Sequence, residues 1–418
     1  MPVISSHAGA RTVRLASMSV TVKAADAAQF LSLVPQLLGC TPTQSLVLVP
    51  MAAGRSLGAL RLDLPPDDLA DAVASSAIGM LCRIGEADAM IAVVYTDEAI
   101  AGAATPPGEA AALPGGAAAL PGDAATEAAV LPGDALISLL GAKADACGLR
   151  LVDALTVAAD GWGSHLEPDL PPGGHPLDAL QVRGADASAL AAGGVDASRG
   201  DQASGATLPQ VGQTARRAVA QSLRSLSSAL EVICGIPSVA GADSRIDPAA
   251  LEAACELDDL PALFEEALRW QPSETPMHTA MLGWCLSRPS LRDVALVQWA
   301  TDPAGGDIAM EAQRRWEDGA DYPADLASLM WGEGPRPDAE RLESALRLVR
   351  EVAALLPKKQ RPGPLAMCAW LSWALGRSSH ADRYAGMALA IDRRHGLADI
   401  VRSFAQAGHL PDWAFRLE

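Results

Sequence analysis

The chain has 418 residues, half of them hydrophobic and a fifth charged, and a net charge of −18. That length suits two domains and that composition excludes wholesale disorder. The acidity is even, −10 over residues 1–240 (13 basic, 23 acidic) and −8 over 241–418 (19 and 27), so neither half carries the basic surface that drives binding to nucleic acid or an anionic membrane.

In chain order, Arg11 to Lys23 alternates enough to be a strand. Ala27 to Gly54 carries no charge, yet Pro35, Gly39 and Pro42 and the polar cluster Thr41, Thr43, Gln44 and Ser45 interrupt it. A membrane span needs about 20 uninterrupted apolar residues, so the run reads as two soluble elements. Asp26 is a suitable N-cap for a helix with apolar residues at 30, 31, 33, 34, 37 and 38, ended by Gly39 and kinked or shortened by Pro35. SLVLVPM (45–51) has the composition of a strand buried on both faces. GALRLDL (58–64) follows as its hairpin partner, then a helix over Asp67–Arg83 and a second fully apolar strand, AMIAVVY (89–95). Strands alternating with helices predict an α/β domain with a mixed sheet.

Residues 99–133 are mostly Ala, Pro and Gly and repeat ALPG, ALPG and VLPG, too little bulky surface to pack. They are expected to form a flexible insertion, with a docking tract for a partner as the alternative. Asp134 is the expected N-cap of DALISLLGAKADACG, and LRLVDALTV (149–157) the next strand. Turn-rich GWGSHLEPDLPPGGHPLD follows, then a short helix over 185–192, a loose stretch at 193–212 and a helix over 214–233. The boundary is expected between Gly235 and Asp247, giving domains 1–240 and 241–418. Beyond it only helical periods recur, and eight of the nine tryptophans lie there. AWLSWALGRSSHADRYAGMALAID (369–392) spaces Trp370, Gly376, Tyr384 and Ala388 as a tetratricopeptide-like helix pair does. The fold class expected is thus an α/β domain followed by an all-α, tetratricopeptide-like one.

These residues resemble a known family. FLSLVPQLLGCTPTQSLVLV, RLDLPPDD, GWGSHLEPD and DASRG (196–200) follow the order of the actinobacterial domain-of-unknown-function family DUF4192. The resemblance spans nearly the whole chain and is most specific in the first 65 and last 60 residues. It implies a cytoplasmic protein with an α/β part and a helical part, and it implies no activity. Relatives often carry cysteines after the tryptophan-containing turn, where this chain has His165, Glu167 and Asp169, so a thiol or metal role there does not carry over.

The search for chemistry returns no GxGxxG after a strand, no GxxxxGK[ST], no HExxH and no GxSxG, so no cofactor and no catalytic group are expected. The seven cysteines are scattered without metal or disulfide spacing, and the N-terminal stretch lacks a signal-peptide pattern, which points to the reducing cytoplasm. Asp63, Asp97 and Asp160 follow strands; the carboxyl edge of an open α/β sheet is where ligands bind, although caps and turns use aspartate equally. Ser198 and Arg199 can hold an anion or be a solvated loop pair. His165 and His175, with acids between them, can form a metal cluster or lie in a solvated loop. The cluster Thr41–Ser45 is expected at the sheet's amino edge, away from any ligand. Two functions compete: a non-enzymatic interaction or regulatory protein that binds a protein or peptide through its helical domain, and a ligand-binding or enzymatic α/β domain.

Overall fold

A computed structural model describes residues 11–14, 21–101, 130–181, 200–235 and 246–416. Its internal contacts define two units, Met1–Gln202 and Ala203–Arg416.

The first unit is built on a mixed sheet. Its strands are β1 (Arg11–Arg14), β2 (Thr21–Ala24), β3 (Ser45–Ala52), β4 (Arg55–Ser56), β5 (Leu60–Asp63), β6 (Ala89–Tyr95), β7 (Arg150–Val157) and β8 (Trp162–Ser164). They run in the order β2-β1-β4-β3-β6-β7-β8, with β5 also pairing β3. Arg11–Lys23, expected as one strand, instead contributes two short ones that pair antiparallel. Three helices complete the unit: α1 (Ala27–Leu38), α2 (Ala70–Cys82, after a 3-10 turn at Asp67–Leu69) and α3 (Asp134–Ala146).

The two apolar strands explain why helices cover both faces of this sheet. Successive side chains on a strand point to opposite faces. Val47, Val49 and Met51 of β3 and Ile91, Val93 and Tyr95 of β6 pack with Phe30, Leu33 and Val34 of α1. Leu46 and Leu48, with Met90, Ala92 and Val94, pack with Ala74, Ile78 and Leu81 of α2 and Ile137 and Leu140 of α3. Each buried Leu, Val or Ile contributes about 1.5–3 kcal/mol, so a charge at any of these positions would break one core. As expected, α1 starts on Asp26, whose carboxylate accepts from Gln29 N at 2.7 Å, and stops at Gly39 with φ +70°.

The second unit is helical throughout its described residues: α4 (Gln213–Ile233), α5 (Pro248–Glu256), α6 (Leu260–Ala267), α7 (Pro276–Leu286), α8 (Pro289–Ala300), α9 (Pro303–Glu317), α10 (Ala324–Met330), α11 (Ala339–Leu355), α12 (Pro362–Ala374), α13 (Ser378–Leu389) and α14 (Gly396–Gln406). Proline in the first turn and aspartate before it start several of these helices; Asp247, Asp259, Asp302 and Asp338 each accept from a first-turn backbone N–H. The contacts change partners earlier than the boundary expected near 240, because Val219, Leu223, Leu226 and Ala229 of α4 are buried with the helical core.

Alanine and glycine let these helices approach closely. A Cβ on Gly363 would lie 2.1 Å from the Leu286 carbonyl, so α12 meets α7 backbone to backbone. Tryptophans fill the wider gaps, and each buried indole N–H finds a carbonyl: Trp299 donates to Phe264, Trp370 to Met330, Trp373 to His409 and Trp413 to Ala374, at 2.7–3.0 Å. Among the described residues no helix is long and apolar enough to cross a membrane.

The flexible insertion expected at 99–133 falls largely on residues 102–129, and the short helix expected at 185–192 falls wholly in 182–199; both spans lie outside the described residues. The ends of the insertion are fixed, since Ala101 and Val130 exchange two backbone hydrogen bonds at 3.0 and 3.1 Å. Leu131 is buried beside Ile100, Ala158 and Leu170, so the dispensable part stops short of it. Replacing residues 102–129 with a three-residue Gly-Ser link should therefore keep the melting temperature within about 4 °C, because closure entropy varies only logarithmically with loop length. Differential scanning calorimetry checks this, and a larger fall would show the segment to be packed.

Candidate functional site

The sense of strand pairing decides which residues meet at the edge of the sheet. β3 is antiparallel to β6 while β6 and β7 are parallel, so Ser45 pairs with Tyr95, and Tyr95 with Val157. On the other side of β3, Ser45 pairs with Asp63. The start of β3 therefore lies beside the ends of β5, β6 and β7. This corrects the expectation for Thr41–Ser45, which was placed at the opposite edge on the assumption that a strand's start belongs with other strand starts. The turn stands at the carboxyl edge of β6 and β7, where α/β sheets bind ligands.

Gln44 is the hinge of that turn. Its φ of +44° is in the left-handed region that residues other than glycine rarely occupy, a strain of about 1–3 kcal/mol that surrounding contacts must hold. Its carbonyl accepts from Leu64 N at 2.9 Å, and its side-chain Nε2 donates to Asp97 Oδ2 at 3.0 Å. Next to it, Thr43 is gripped by Gln202, 159 residues away, which accepts from the Thr43 backbone N and Oγ1 at 3.1 Å and donates to its carbonyl at 3.0 Å. Thr41 N donates to the Gly200 carbonyl at 2.9 Å. The returning chain thus clamps the turn on its outer side.

Between this turn, α1 and the ends of β6 and β7 lies a cavity of about 380 Å³. Leu31, Pro35, Val157, Ala158 and Leu180 give it apolar walls, and Thr43, Gln44, Thr96 and Asp97 a polar rim. Tyr95 also lines it, 8 % exposed, and its hydroxyl has no hydrogen-bond partner among the described residues. Burial holds the phenol in its neutral form, with its pKa raised well above the usual tyrosine value. Its volume falls within the range of small-molecule sites, and its lining mixes an apolar wall with a few polar groups.

The residues singled out in the sequence divide around this cavity. Asp97 lines it. Asp63 stands at the same edge but is almost fully exposed and pairs with Arg61, which also donates to Ser45 Oγ at 2.8 Å. Asp160 accepts from Ile100 N at 3.0 Å and so pins the loop after β6. Ser198 and Arg199 lie outside the described residues. The two histidines point to different partners: His165 lies 3.2 Å from Asp134 and 2.9 Å from Thr156 Oγ1, whereas His175 meets Glu167 at 2.9 Å and lies against Trp162 with the rings tilted by 33°. Among the described residues no three His, Cys, Asp or Glu side chains are gathered to hold a metal.

The order Asp134–His165–Thr156 is that of a nucleophile relay, but Thr156 is fully buried and its hydroxyl also reaches the Pro132 carbonyl at 3.0 Å. It therefore fastens α3, β7 and the segment after β8 and offers no hydroxyl to a substrate. Asp134, expected as an N-cap, is the first helical residue after Gly133, whose φ is +87°, and its carboxylate serves His165. Tyr95 and Gln202 were not singled out by sequence reasoning, and Gln44 was named only within the Thr41–Ser45 cluster placed at the other edge. A phenol at the end of an otherwise apolar strand was the signal available for Tyr95.

A family model described as a domain of unknown function, DUF4192, matches residues 28–412. The chain belongs to the DUF4192 family. No curated protein and no solved structure matches it. The match covers α1, the clamped turn, the ends of β6 and β7 and nearly all of the helical unit, so the cavity is composed of residues within the DUF4192 region.

Protonation of this DUF4192 protein is resisted at three histidines. Burial lowers the pKa of His165, against the opposing pull of Asp134, and likewise lowers those of His380 and His395. A folded pKa below the unfolded value of about 6.5 means that the unfolded chain binds protons first, so stability is lost as pH falls through that range. Melting temperatures should therefore drop between pH 7.5 and 5.5. His165→Gln should cost about 1–3 kcal/mol at pH 7.5 through its lost buried partners and give a shallower dependence. Equal slopes for variant and wild type would show that His165 is not part of the effect.

Proposed function

We propose that the α/β unit of this DUF4192 protein binds a small molecule in the cavity at the carboxyl edge of β6 and β7. One observation carries the reading: Tyr95, whose buried hydroxyl has no partner among the described residues, lines a cavity of about 380 Å³ at the edge where such sheets bind ligands. A buried unsatisfied hydroxyl costs about 1–3 kcal/mol, and a ligand that satisfies it recovers that cost. The strained Gln44 on the rim supports the same site, since such backbone is retained where surroundings over-determine it. The unit acts in the cytoplasm, where its cysteines stay thiols.

Native mass spectrometry and thermal shift against a metabolite library test this reading. A bound compound at a hundredfold excess over Kd should stabilise by about 2.7 kcal/mol, several degrees in Tm. Ala159→Trp, which places a bulky side chain on an exposed lining residue, should abolish the shift without lowering the Tm of the free protein. Absence of any bound compound, or binding untouched by Ala159→Trp, overturns the proposal.

A second reading, binding of a protein or peptide by a tetratricopeptide-like helical unit, is favoured by a cleft of about 250 Å³ lined by Trp270, Pro272, Arg269, Arg347 and Glu351. Glu351 is committed to Ser273, whose N and Oγ it accepts at 3.2 and 2.7 Å, which leaves the two arginines to meet an acidic side chain. The double variant Arg269→Glu, Arg347→Glu should lower crosslinking to a native partner at least tenfold; unchanged crosslinking removes the cleft as the docking site.

A further inference from the structure

We propose that Cys82 and Cys147 form a reversible modification site, which closes to an intramolecular disulfide by exchange with a low-molecular-weight disulfide such as oxidised glutathione. The topology of the sheet brings the two together. β6 and β7 are parallel neighbours that pair from their first residues, Ala89 with Arg150, and Arg150 N donates to the Asp88 carbonyl at 3.2 Å. A helix precedes each strand: α2 ends on Cys82, and α3 ends at Ala146 with Cys147 as its C-cap. The turns from helix to strand are short, 83–88 and 148–149, so both helices run the same way and stop at the same edge.

Packing holds these ends against each other. Ile78 and Leu81 of α2 share one core with Leu140 and Ala144 of α3 and with Leu149. Lys143 adds an ion pair to Asp71 across the two helices at 2.7 Å. Gly148, at φ +76°, turns the chain out of α3 directly after Cys147, and Leu149 N returns to the Ala144 carbonyl at 2.9 Å. Both cysteines are exposed, and their thiols are in hydrogen-bond contact. Partial desolvation, and after it that contact, raises the pKa of the Cys82 thiol. The two cysteines of the helical core differ: Cys285 and Cys368 are buried, which pushes the Cys285 thiol up to about 12, raises that of Cys368 as well and leaves both inert. Sequence spacing does not show the exposed pair, because β6 and residues 96–133 lie between the two helices.

The exchange needs no reactant besides the small disulfide. One protein thiol loses its proton, and its sulfur attacks a sulfur of that disulfide, whose S–S bond breaks and releases one half as a thiolate. The second protein thiolate then attacks the mixed disulfide, forms the Cys82–Cys147 bond and expels the other half. Two protein thiols are oxidised, the small disulfide is reduced to two thiols, and the two protons pass to the released thiolates. The second step is intramolecular, so adjacent sulfurs complete it ahead of attack by free thiol from solution. A reducing compartment keeps the pair as two thiols, and a rise in oxidised small thiol closes it. The site stands at the amino edge of β6 and β7, opposite the cavity, and does not depend on the small-molecule reading.

Incubation of the full chain in buffers of reduced and oxidised glutathione, with an acid quench and peptide mapping by mass spectrometry, tests the site. The wild type should lose two hydrogens, carry no glutathionyl group at either position and yield one linked pair of peptides holding Cys82 and Cys147. Cys82→Ser and Cys147→Ser should each keep a glutathionyl group on the remaining cysteine, and reach half modification only at about a tenfold higher share of oxidised glutathione. Closing the loop from 82 to 147 should raise the Tm by about 4 °C or more, and dithiothreitol should reverse the rise. Lasting glutathionylation of either cysteine in the wild type, linkage of either one to a different cysteine, or no modification at all overturns the proposal. So does a Cys82–Cys147 bond that leaves the Tm unchanged or lower, which would show that the native helix ends do not hold the two sulfurs together.

Discussion

The ladder between β3 and β6 is the constraint on which the α/β unit depends. Seven residue pairs, Ser45 with Tyr95 through Met51 with Ala89, run antiparallel between two helical layers. Both strands are buried along this ladder, so their backbone groups can be satisfied only by each other and by the flanking strands. Alternate side chains feed the two cores, and a one-residue slip would exchange them. The same register places the turn before β3 against the ends of β6 and β7. Core, sheet order and cavity follow from one pairing.

That pairing was only half legible in the sequence. The uncharged run, the Asp26 cap and the Gly39 stop identified α1 and β3, because caps and apolar blocks are local signals. A strand that is apolar on both faces shows neither which face meets which helix nor which way its neighbour runs. Thr41–Ser45 was therefore recognised as a polar cluster and assigned to the opposite edge. Asp97 could be suspected from its place after a strand, but Asp63 and Asp160 have the same local appearance and serve an arginine and a loop amide instead. The histidines follow the same logic: ten residues apart in a turn-rich segment, they look like a pair until hairpin geometry turns one toward α3 and the other onto Trp162.

In the helical unit, composition was the better guide. Alanine-rich helices, four of which carry one or two tryptophans, predict close approaches and large wedges, and Gly363 against Leu286 and the indoles bonded to carbonyls are those features realised. Contacts to backbone atoms were not legible. Arg350 donates to the carbonyls of Gly205 and Thr207, His380 lies 3.0 Å from that of Ser204, and Tyr384 reaches Gly205. Three side chains on two helices so hold the segment that leads into the unit, with Ala206 fully buried beneath it. Backbone carbonyls have no letter in the sequence, so Arg350 and His380 read there as ordinary helix residues.

Local rules are broken at several points of the α/β unit, and three of the breaks converge on one cavity. Pro35 interrupts a helix, Gln44 holds a left-handed backbone without being glycine, and Tyr95 buries a hydroxyl without a partner among the described residues. Each costs of order 1–3 kcal/mol against an unbroken alternative available to the same fold: alanine at 35, glycine at 44, phenylalanine at 95. Packing does not require any of them, since α1 could bury Leu31 and Val34 as well without a proline between its last turns. At Asp26, Gly39 and the aspartate-capped helices of the second unit, by contrast, local preference and tertiary position agree. Disagreements at functional sites are the ones a folded sequence retains. Their convergence at the carboxyl edge of β6 and β7 marks that edge more firmly than any single residue does.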